Sequence, residues 1–454
     1  MGEMFSENGY REMIEECRNF KSRCIKPDER EVYLQLVYEK ENINGVEVAF
    51  DVYPHRFLYY LIDNVLTPRL RRPLFSYRVE LEVGDAELCV YQEYKNAAQR
   101  NNGWLSATLC DKEDPECTFV GQLIWQCGDV DYSETGIKMQ YDISSKAMKD
   151  IKRTTSVLRK RNECKNPFDF LETSGVLEEK DSNLLYDVFL YKVGNANTTY
   201  ILNKQNGTSL LVDCGIETNG QYRWLYSQVE DEIKKLNPEY ILLSHNHEDH
   251  YNILFKSVSA QSIALDNTKM TALKQIIVYK RHMNSLNQLI ILDSLRRKIV
   301  FLDSNINNYQ RILAGKFPNI FVEFGNCTDK KNSVGGGQSY FENDTGIIVS
   351  IHNKQNVVLP GDCSYDYIPP VVGLSDADYI VLPHHGGKVI MKNIIKMKKN
   401  CIPIVSSGFK QLYKGSKYQL IYDQENFLKS CGVDISLMKF LRTVLNSYYI
   451  IKDV

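Results

Sequence analysis

The chain has 454 residues, more than one hydrophobic core usually serves, so two domains are expected, each large enough to fold without a staple. Its 55 Lys and Arg balance 57 Asp and Glu to a net charge of -2, which excludes a global pull toward nucleic acid or anionic lipid and confines any basic groove to a local patch. Twelve cysteines without a CxxC pair exclude a disulfide framework or zinc ribbon, and no apolar run follows a basic leader or reaches membrane-spanning length, so a soluble cytoplasmic protein is expected.

Residues 5–25 read as a polar helix. Tyr-, Val- and Leu-rich runs with strand-like alternation follow at Glu31 to Tyr38, Val46 to Tyr53, Tyr77 to Val83, Leu88 to Tyr94 and Thr118 to Gln126. A helix is expected over His55 to Leu66 and another over the basic stretch Ser144 to Arg161, whose apolar residues fall on one face. The helix breaker Cys164-Lys165-Asn166-Pro167 and the charged run Glu178 to Ser182 mark a boundary. Residues 1–175 thus form an α+β accessory module, suited to shaping substrate access or binding a protein partner, and residues 183–454 a second domain.

From Leu184 the texture changes to short strands at Tyr186 to Val193, Thr198 to Leu202 and Ser209 to Val212, separated by turn signals at Gly194-Asn195 and Asn206-Gly207. A helix around Arg223 to Leu236 leads to the strand Tyr240 to Leu243, which runs into Ser244-His245-Asn246-His247-Glu248-Asp249-His250. Three imidazoles and two carboxylates in six positions give folding nothing, whereas a divalent cation accepts neutral imidazole and carboxylate as ligands. Two further strands end in the same way, Val357 to Leu359 before Asp362 and Tyr379 to Leu382 before His384-His385. His245, His247, Asp249, His250, Asp362 and one of His384 and His385 nearly supply the ligands of two cations, one or two zinc or manganese ions. Asp213, at the end of the strand Ser209 to Val212, is either a turn former or the carboxylate that orients a ligand imidazole through its second ring nitrogen.

These residues resemble the metallo-β-lactamase superfamily over about residues 184–454. Its HxHxDH signature is matched at His245, His247, Asp249 and His250, its preceding aspartate at Asp213, its bridging aspartate at Asp362 and its last histidine at His384-His385. The resemblance implies an αββα sandwich with the metal site at the sheet edges. Within the superfamily, Asn343-Asp344, Gly346 to Ile351, Leu359 to Asp362 and Leu382 to Gly387 look most like the hydrolase domain of competence DNA-uptake proteins. Two departures stand out. Many members carry another histidine between the signature and the bridging aspartate, where this chain offers His282 and His352, both read as surface residues. The competence-type histidine after the strand Ile402 to Ser406 is absent, Ser406-Ser407-Gly408 standing there instead. His55 is read as structural.

The expected activity is metal-dependent hydrolysis, with a phosphodiester in nucleic acid or a nucleotide as substrate. Asp249 is both ligand and acceptor of the attacking water's proton; His385 is the ligand and His384 the group that contacts the scissile bond or protonates the leaving oxygen. Lys280-Arg281 and Lys396 to Lys399 are the basic segments available to line a groove. Two alternatives compete: hydrolysis of carbon esters, lactones, thioesters or amides on the same metals, and a non-catalytic metal-binding sensor or interaction protein.

Overall fold

The computed structural model describes residues 30–42, 45–55, 77–125, 132–162, 171–173, 185–217, 227–245, 247–255, 272–279, 289, 298–302, 310–312, 317–333, 338–407, 415–441 and 447–454. The chain packs as two compact units: the described residues up to Asn162 form the first, and those from Leu171 onward, apart from Phe255 and Leu289, form the second.

In the first unit strands β1 (Glu31–Asn42), β2 (Gly45–Pro54), β3 (Tyr77–Gly84), β4 (Trp104–Cys110), β5 (Phe119–Trp125) and β6 (Tyr132–Gln140) pair antiparallel in the order β1-β2-β3-β5-β6-β4. β4 returns to β1 and closes a barrel. Alternate residues face its interior, Val32 and Leu34, Val46, Val48, Phe50 and Val52, Val79, Leu81 and Val83, Leu105 and Ala107, Ile137 and Met139. Helix α1 (Leu88–Arg100) adds Tyr91, Tyr94, Ala97 and Ala98 to that core, and α2 (Ser145–Asn162) follows β6.

The expected strand over Leu88 to Tyr94 is therefore the first half of α1. Its apolar positions recur at intervals of three and four, a helical period that the local richness in Leu, Val and Tyr masks. β4 and β6, which close the barrel, are additional to the strands read from sequence. His55 stacks on Tyr33 with ring centroids 4.0 Å apart and lies 3.4 Å from Glu31, and burial lowers its pKa. The helix expected over residues 5–25 lies outside the described residues, as does that over His55 to Leu66 beyond His55 itself.

The second unit opens with β7 (Leu171–Thr173), β8 (Tyr186–Tyr191), β9 (Thr199–Asn203), β10 (Ser209–Val212), α3 (Ser227–Lys235), β11 (Tyr240–Leu243), α4 (Glu248–Phe255), β12 (Gln275–Tyr279) and β13 (Lys298–Leu302). It continues with β14 (Gln310–Ile312), β15 (Ile320–Phe324), α5 (Gln338–Asn343), β16 (Ile347–His352), β17 (Asn356–Leu359), β18 (Tyr379–Val381), β19 (Ile402–Val405), α6 (Gly415–Ser430), β20 (Lys439–Phe440) and β21 (Tyr448–Ile451). One sheet has the order β13-β12-β11-β10-β9-β8-β21 and the other β20-β19-β18-β17-β16-β15-β14-β7.

The two sheets share one core. Leu210, Val212, Leu242, Ile277 and Val300 of the first meet Val322, Ile347, Val349, Ile351, Val357, Leu359, Val381 and Ile404 of the second. The intervening residues Ile348, Val358, Ile380 and Val405 point the other way, into a layer completed by Phe427 and Leu428 of α6. A sheet buried on both faces explains why these strands read as continuous apolar runs. Strands β10 to β13 are mutually parallel, as are β17 to β20. In open sheets of this kind ligands collect at the carboxyl ends of parallel strands, which is where every candidate ligand lies. Among the described residues no helix is long and apolar enough to cross a membrane, and all the cysteines are free thiols.

Candidate metal centre

β10 and β11 pair in register with Val212 opposite Leu242, so the residues that follow each strand emerge side by side. Asp213 turns out of β10 in the left-handed region (φ 57°), a conformation uncommon for a non-glycine residue. Its side chain thereby faces the start of the histidine segment: the Ser244 N–H donates to Oδ1 at 2.7 Å, and the Ser244 hydroxyl lies 2.8 Å from Oδ2. Gly215, two residues on, packs directly on the backbone of α4. A Cβ there would sit 1.7 Å from the Asp249 carbonyl oxygen, so only glycine permits the approach. The Cys214 N–H donates to the His250 carbonyl at 2.7 Å and the Asn252 side chain grips both the N–H and carbonyl of Ile216, which fixes the turn bearing Asp249 and His250.

The same contacts set the imidazole tautomers. The His250 Nδ1–H donates to Asp213 Oδ2 at 2.8 Å, leaving Nε2 to face the centre. The Ser244 hydroxyl has one proton; given to Asp213, it leaves an oxygen lone pair for the His245 Nδ1–H at 3.0 Å. His245 is then also held with Nε2 inward. Ser244 was not singled out from sequence, because a serine carries no metal chemistry of its own. Replacing Ser244 by alanine should weaken metal affinity by about 10–100-fold while leaving the ligands in place; isothermal titration with zinc checks this, and an unchanged affinity would remove Ser244 from the network.

The opposite wall comes from the other sheet. After β17, Gly361 turns with φ 59° and passes the Ser244 side chain, 3.2 Å from where a Cβ would be, which delivers Asp362 beside His245 and His250. The buried Asp344 accepts the Ser364 N–H at 2.9 Å and pins this loop. After β18, His384 and His385 are both left-handed (φ 51° and 54°), a costly pair for side-chain-bearing residues. The surroundings over-determine it. The fully buried Gln424 of α6 donates to the carbonyls of Pro383 (3.2 Å) and Gly387 (2.8 Å), bracketing the pair, and its Oε1 accepts from the Tyr365 hydroxyl. Gln424 is a further residue that sequence reasoning missed.

Asp362 joins two groups of donors. Its Oδ1 lies 3.1 Å from His250 Nε2 and 3.6 Å from His385 Nε2, while Oδ2 lies 3.7 Å from His245 Nε2 and 3.9 Å from His384 Nε2. His385 Nε2 is also 3.4 Å from Asp249 Oδ2. Among the described residues, two triads bring their donor atoms within 4.8 Å of one another: His245, His250 and Asp362, and Asp249, His250 and His385. The His247 ring packs on His245 at 4.4 Å between centroids, with its Nε2 3.6 Å from Glu342 Oε2.

These residues fit divalent cations. Two donors sharing one tetrahedral ion at about 2.0–2.2 Å each stand roughly 3.3–3.6 Å apart, the spacing of His385 Nε2 from Asp249 Oδ2 (3.4 Å) and from Asp362 Oδ1 (3.6 Å). His250 Nε2, Asp362 Oδ1 and both ring nitrogens of His385 are buried without a hydrogen bond, the state of atoms arranged for an ion. The electrostatics agree. Burial would raise the pKa of Asp249, but the approach of His385 and the charge of His250 outweigh it and hold the carboxyl below its usual range. For Asp362 burial is likewise outweighed, by His250, His385 and His384. Burial would lower the His250 pKa, yet Asp362 and Asp213 raise it well above its ordinary value, the mark of a ring facing two carboxylates.

All the residues singled out from sequence, Asp213, His245, His247, Asp249, His250, Asp362, His384 and His385, thus lie along the carboxyl ends of the parallel strands. His384 and His385 differ. The His384 side chain is 23% exposed and its Nδ1–H donates to the Lys388 carbonyl at 3.0 Å, whereas His385 is 3% exposed and faces Asp249 and Asp362. Burial, foremost, lowers the His384 pKa. His352 ends β16 with its Nε2 3.0 Å from the Ser350 hydroxyl and its ring edge-on to Phe321. His282, Lys280 and Arg281 lie outside the described residues.

The expected groove along Lys396 to Lys399 requires correction. Lys398 pairs with Asp378 at 2.7 Å, at the amino end of β18, and the Lys399 carbonyl accepts the Asp434 N–H, so this stretch serves the strand ends remote from the histidines. Ser406, which stands where the competence-type histidine is expected, has its hydroxyl within hydrogen-bond reach of the carbonyls of Gly194 (3.1 Å) and Ala196 (2.9 Å) and ties β19 to the turn between β8 and β9.

A comparison with curated proteins finds no match. Among solved structures, the metallo-beta-lactamase fold protein YhfI from Bacillus subtilis matches with 14% identity over 60% of this chain and 100% of its own, at a TM-score of 0.33. A long form RNase Z from yeast matches with 15% identity over 55% of this chain and 39% of its own, at a TM-score of 0.27. The model of the Metallo-beta-lactamase superfamily matches residues 191–259, from the end of β8 past α4. The matched segment is the one that supplies Asp213, His245, His247, Asp249 and His250.

Proposed function

We propose that the chain is a metal-dependent phosphodiesterase acting on nucleic acid or nucleotide phosphodiesters. The observation that carries the metal reading is Asp362, whose Oδ1 faces His250 and His385 and whose Oδ2 faces His245 and His384. His245, His247, Asp249, His250, Asp362 and His385 would hold one or two cations, and their mixed nitrogen and oxygen donors suit zinc or manganese. Such ions would lower the pKa of water and polarise a phosphoryl oxygen. Asp249, ionised by its surroundings, accepts the proton of the attacking water. His384 presents Nε2 to the scissile group, since its Nδ1–H is committed to the Lys388 carbonyl. A phosphate anion at Nε2 raises the ring's pKa, so that Nε2 takes up a proton from solvent and gives it to the leaving oxygen.

Two features favour a phosphodiester. The pattern from Asn343 to Gly387 resembles competence-type hydrolase domains. A cleft of about 520 Å³ is lined by Lys331, Tyr367, Lys388 and Lys392, and the carbonyl of the same Lys388 accepts from His384. This basic surface takes the place expected of Lys396 to Lys399, and within roughly 8–10 Å a phosphate feels such local charge whatever the net charge of the chain. Hydrolysis of bis-aryl phosphodiesters and oligonucleotides, abolished by chelator, is the expected result. Lys388→Glu with Lys392→Glu should raise KM about tenfold or more, change kcat little, and lose its effect at high salt. Turnover of a lactone or thioester with no phosphodiester cleavage in zinc or manganese would contradict the proposal.

A further inference from the structure

We propose that Glu342 is a metal ligand, completing with its carboxylate the donor set on the His245–His247 side of the centre; this rests on the metal reading above. Of the chain's eight histidines, five stand at the centre, His55 is in the first unit and His352 bonds Ser350. The other described imidazole on that side is His384, 3.9 Å from Asp362 Oδ2, which is partly exposed and held through Nδ1 by the Lys388 carbonyl. Glu342 Oε2 is there too, 3.6 Å from His247 Nε2, the separation of two donors on one cation and too long for a hydrogen bond.

The backbone explains the placement. Glu342 lies in the last turn of α5, and the carboxyl end of that helix is held against the strand end from which His245 projects. The Ile347 N–H donates to the Ser244 carbonyl at 2.7 Å and the Gly346 N–H to the Asn343 carbonyl at 3.1 Å. A Cβ on Gly346 would lie 3.2 Å from the Asn343 carbonyl oxygen and 3.4 Å from that of Ser244. The Thr345 hydroxyl donates to the Phe341 carbonyl and closes the helix. The Glu342 side chain is only 19% exposed, so its carboxylate lies among the buried donors and not in open solvent. His245, His247, Asp362 Oδ2 and Glu342 then form one set of two nitrogens and two oxygens, and Asp249, His250, His385 and Asp362 Oδ1 form the other.

The test is metal stoichiometry and manganese electron paramagnetic resonance on the full chain, with circular dichroism in chelator as the folding control. Wild type should take up two equivalents and give a spin-coupled manganese pair. Glu342→Gln should keep one equivalent, show an isolated ion and bind the second at least about 100-fold more weakly. Glu342→His should restore two equivalents and shift preference from manganese toward zinc, because imidazole is the softer donor. His282→Ala should retain two. If Glu342→Gln binds two equivalents with unchanged affinity, or His282→Ala loses one, the inference is overturned while the metal reading stands. If wild type binds none, the metal reading fails and the inference with it.

Discussion

Replacing Asp362 by alanine should remove metal from both sides of the centre and lower turnover by on the order of 10³-fold or more. The reason is geometric: one carboxylate serves two donor groups, with Oδ1 toward His250 and His385 and Oδ2 toward His245. Its loss leaves each group one oxygen short and removes negative charge from between buried imidazoles, so a dication there is no longer compensated. The effect extends to stability. A ligand that binds only the folded chain stabilises it by about 4 kcal/mol at a thousand times its dissociation constant, so the rise in Tm that metal gives wild type should vanish in Asp362→Ala. Asp378→Asn is the control, since Asp378 pairs with Lys398 at the other end of β18 and should leave metal binding intact. Elemental analysis and thermal melts with and without zinc read both outcomes. Wild-type metal content in Asp362→Ala would refute the bridging role.

His385→Ala and His384→Ala should part company. His385 is buried, with Nε2 between Asp249 and Asp362, and its removal should strip metal. His384 is more exposed and anchored by the Lys388 carbonyl, so its removal should leave metal in place while kcat falls by about 100-fold, the scale of a lost proton donor or phosphate contact. Both residues occupy left-handed backbone, where any Cβ is strained, so His384→Asn, better tolerated at positive φ, separates the loss of the imidazole from a shift of the loop. Equal metal loss from the two positions, or the reverse order, would contradict the assignment.

The chemistry-bearing residues were legible in the sequence because metal ligands are rare residue types and each stands where an apolar strand stops. Leu243, Leu359 and Leu382 announce the edge on which His245, Asp362 and His384 sit, and parallel pairing carries all three to the same side. What supports them was not legible. Ser244 matters only because β10 and β11 run in register and bring Asp213 to it. Gln424 acts on His384 and His385 from a helix some forty positions away, and nothing in its own neighbourhood signals that. Glu342 stands near the histidines only because α5 folds beside the strand end that carries them, which its own sequence neighbours do not signal. Lys396 to Lys399 were misplaced for a related reason: a basic run reports charge, and only the direction of β18 and β19 shows which strand ends it serves. In the first unit the strand alternation was visible, but barrel closure depends on β4 returning to β1, a pairing of residues some seventy positions apart. α1 was mistaken for a strand because Tyr and Val favour sheets, while the spacing of Tyr91, Tyr94, Ala97 and Ala98 is what decided its state.

The most direct test of a metal centre built on Asp362 is the metal content of the purified full-length chain after expression in zinc- and manganese-replete medium. Two equivalents of zinc or manganese per chain, removed by chelator and restored on reconstitution, are predicted. A chain that contains no transition metal and takes none up would contradict the account.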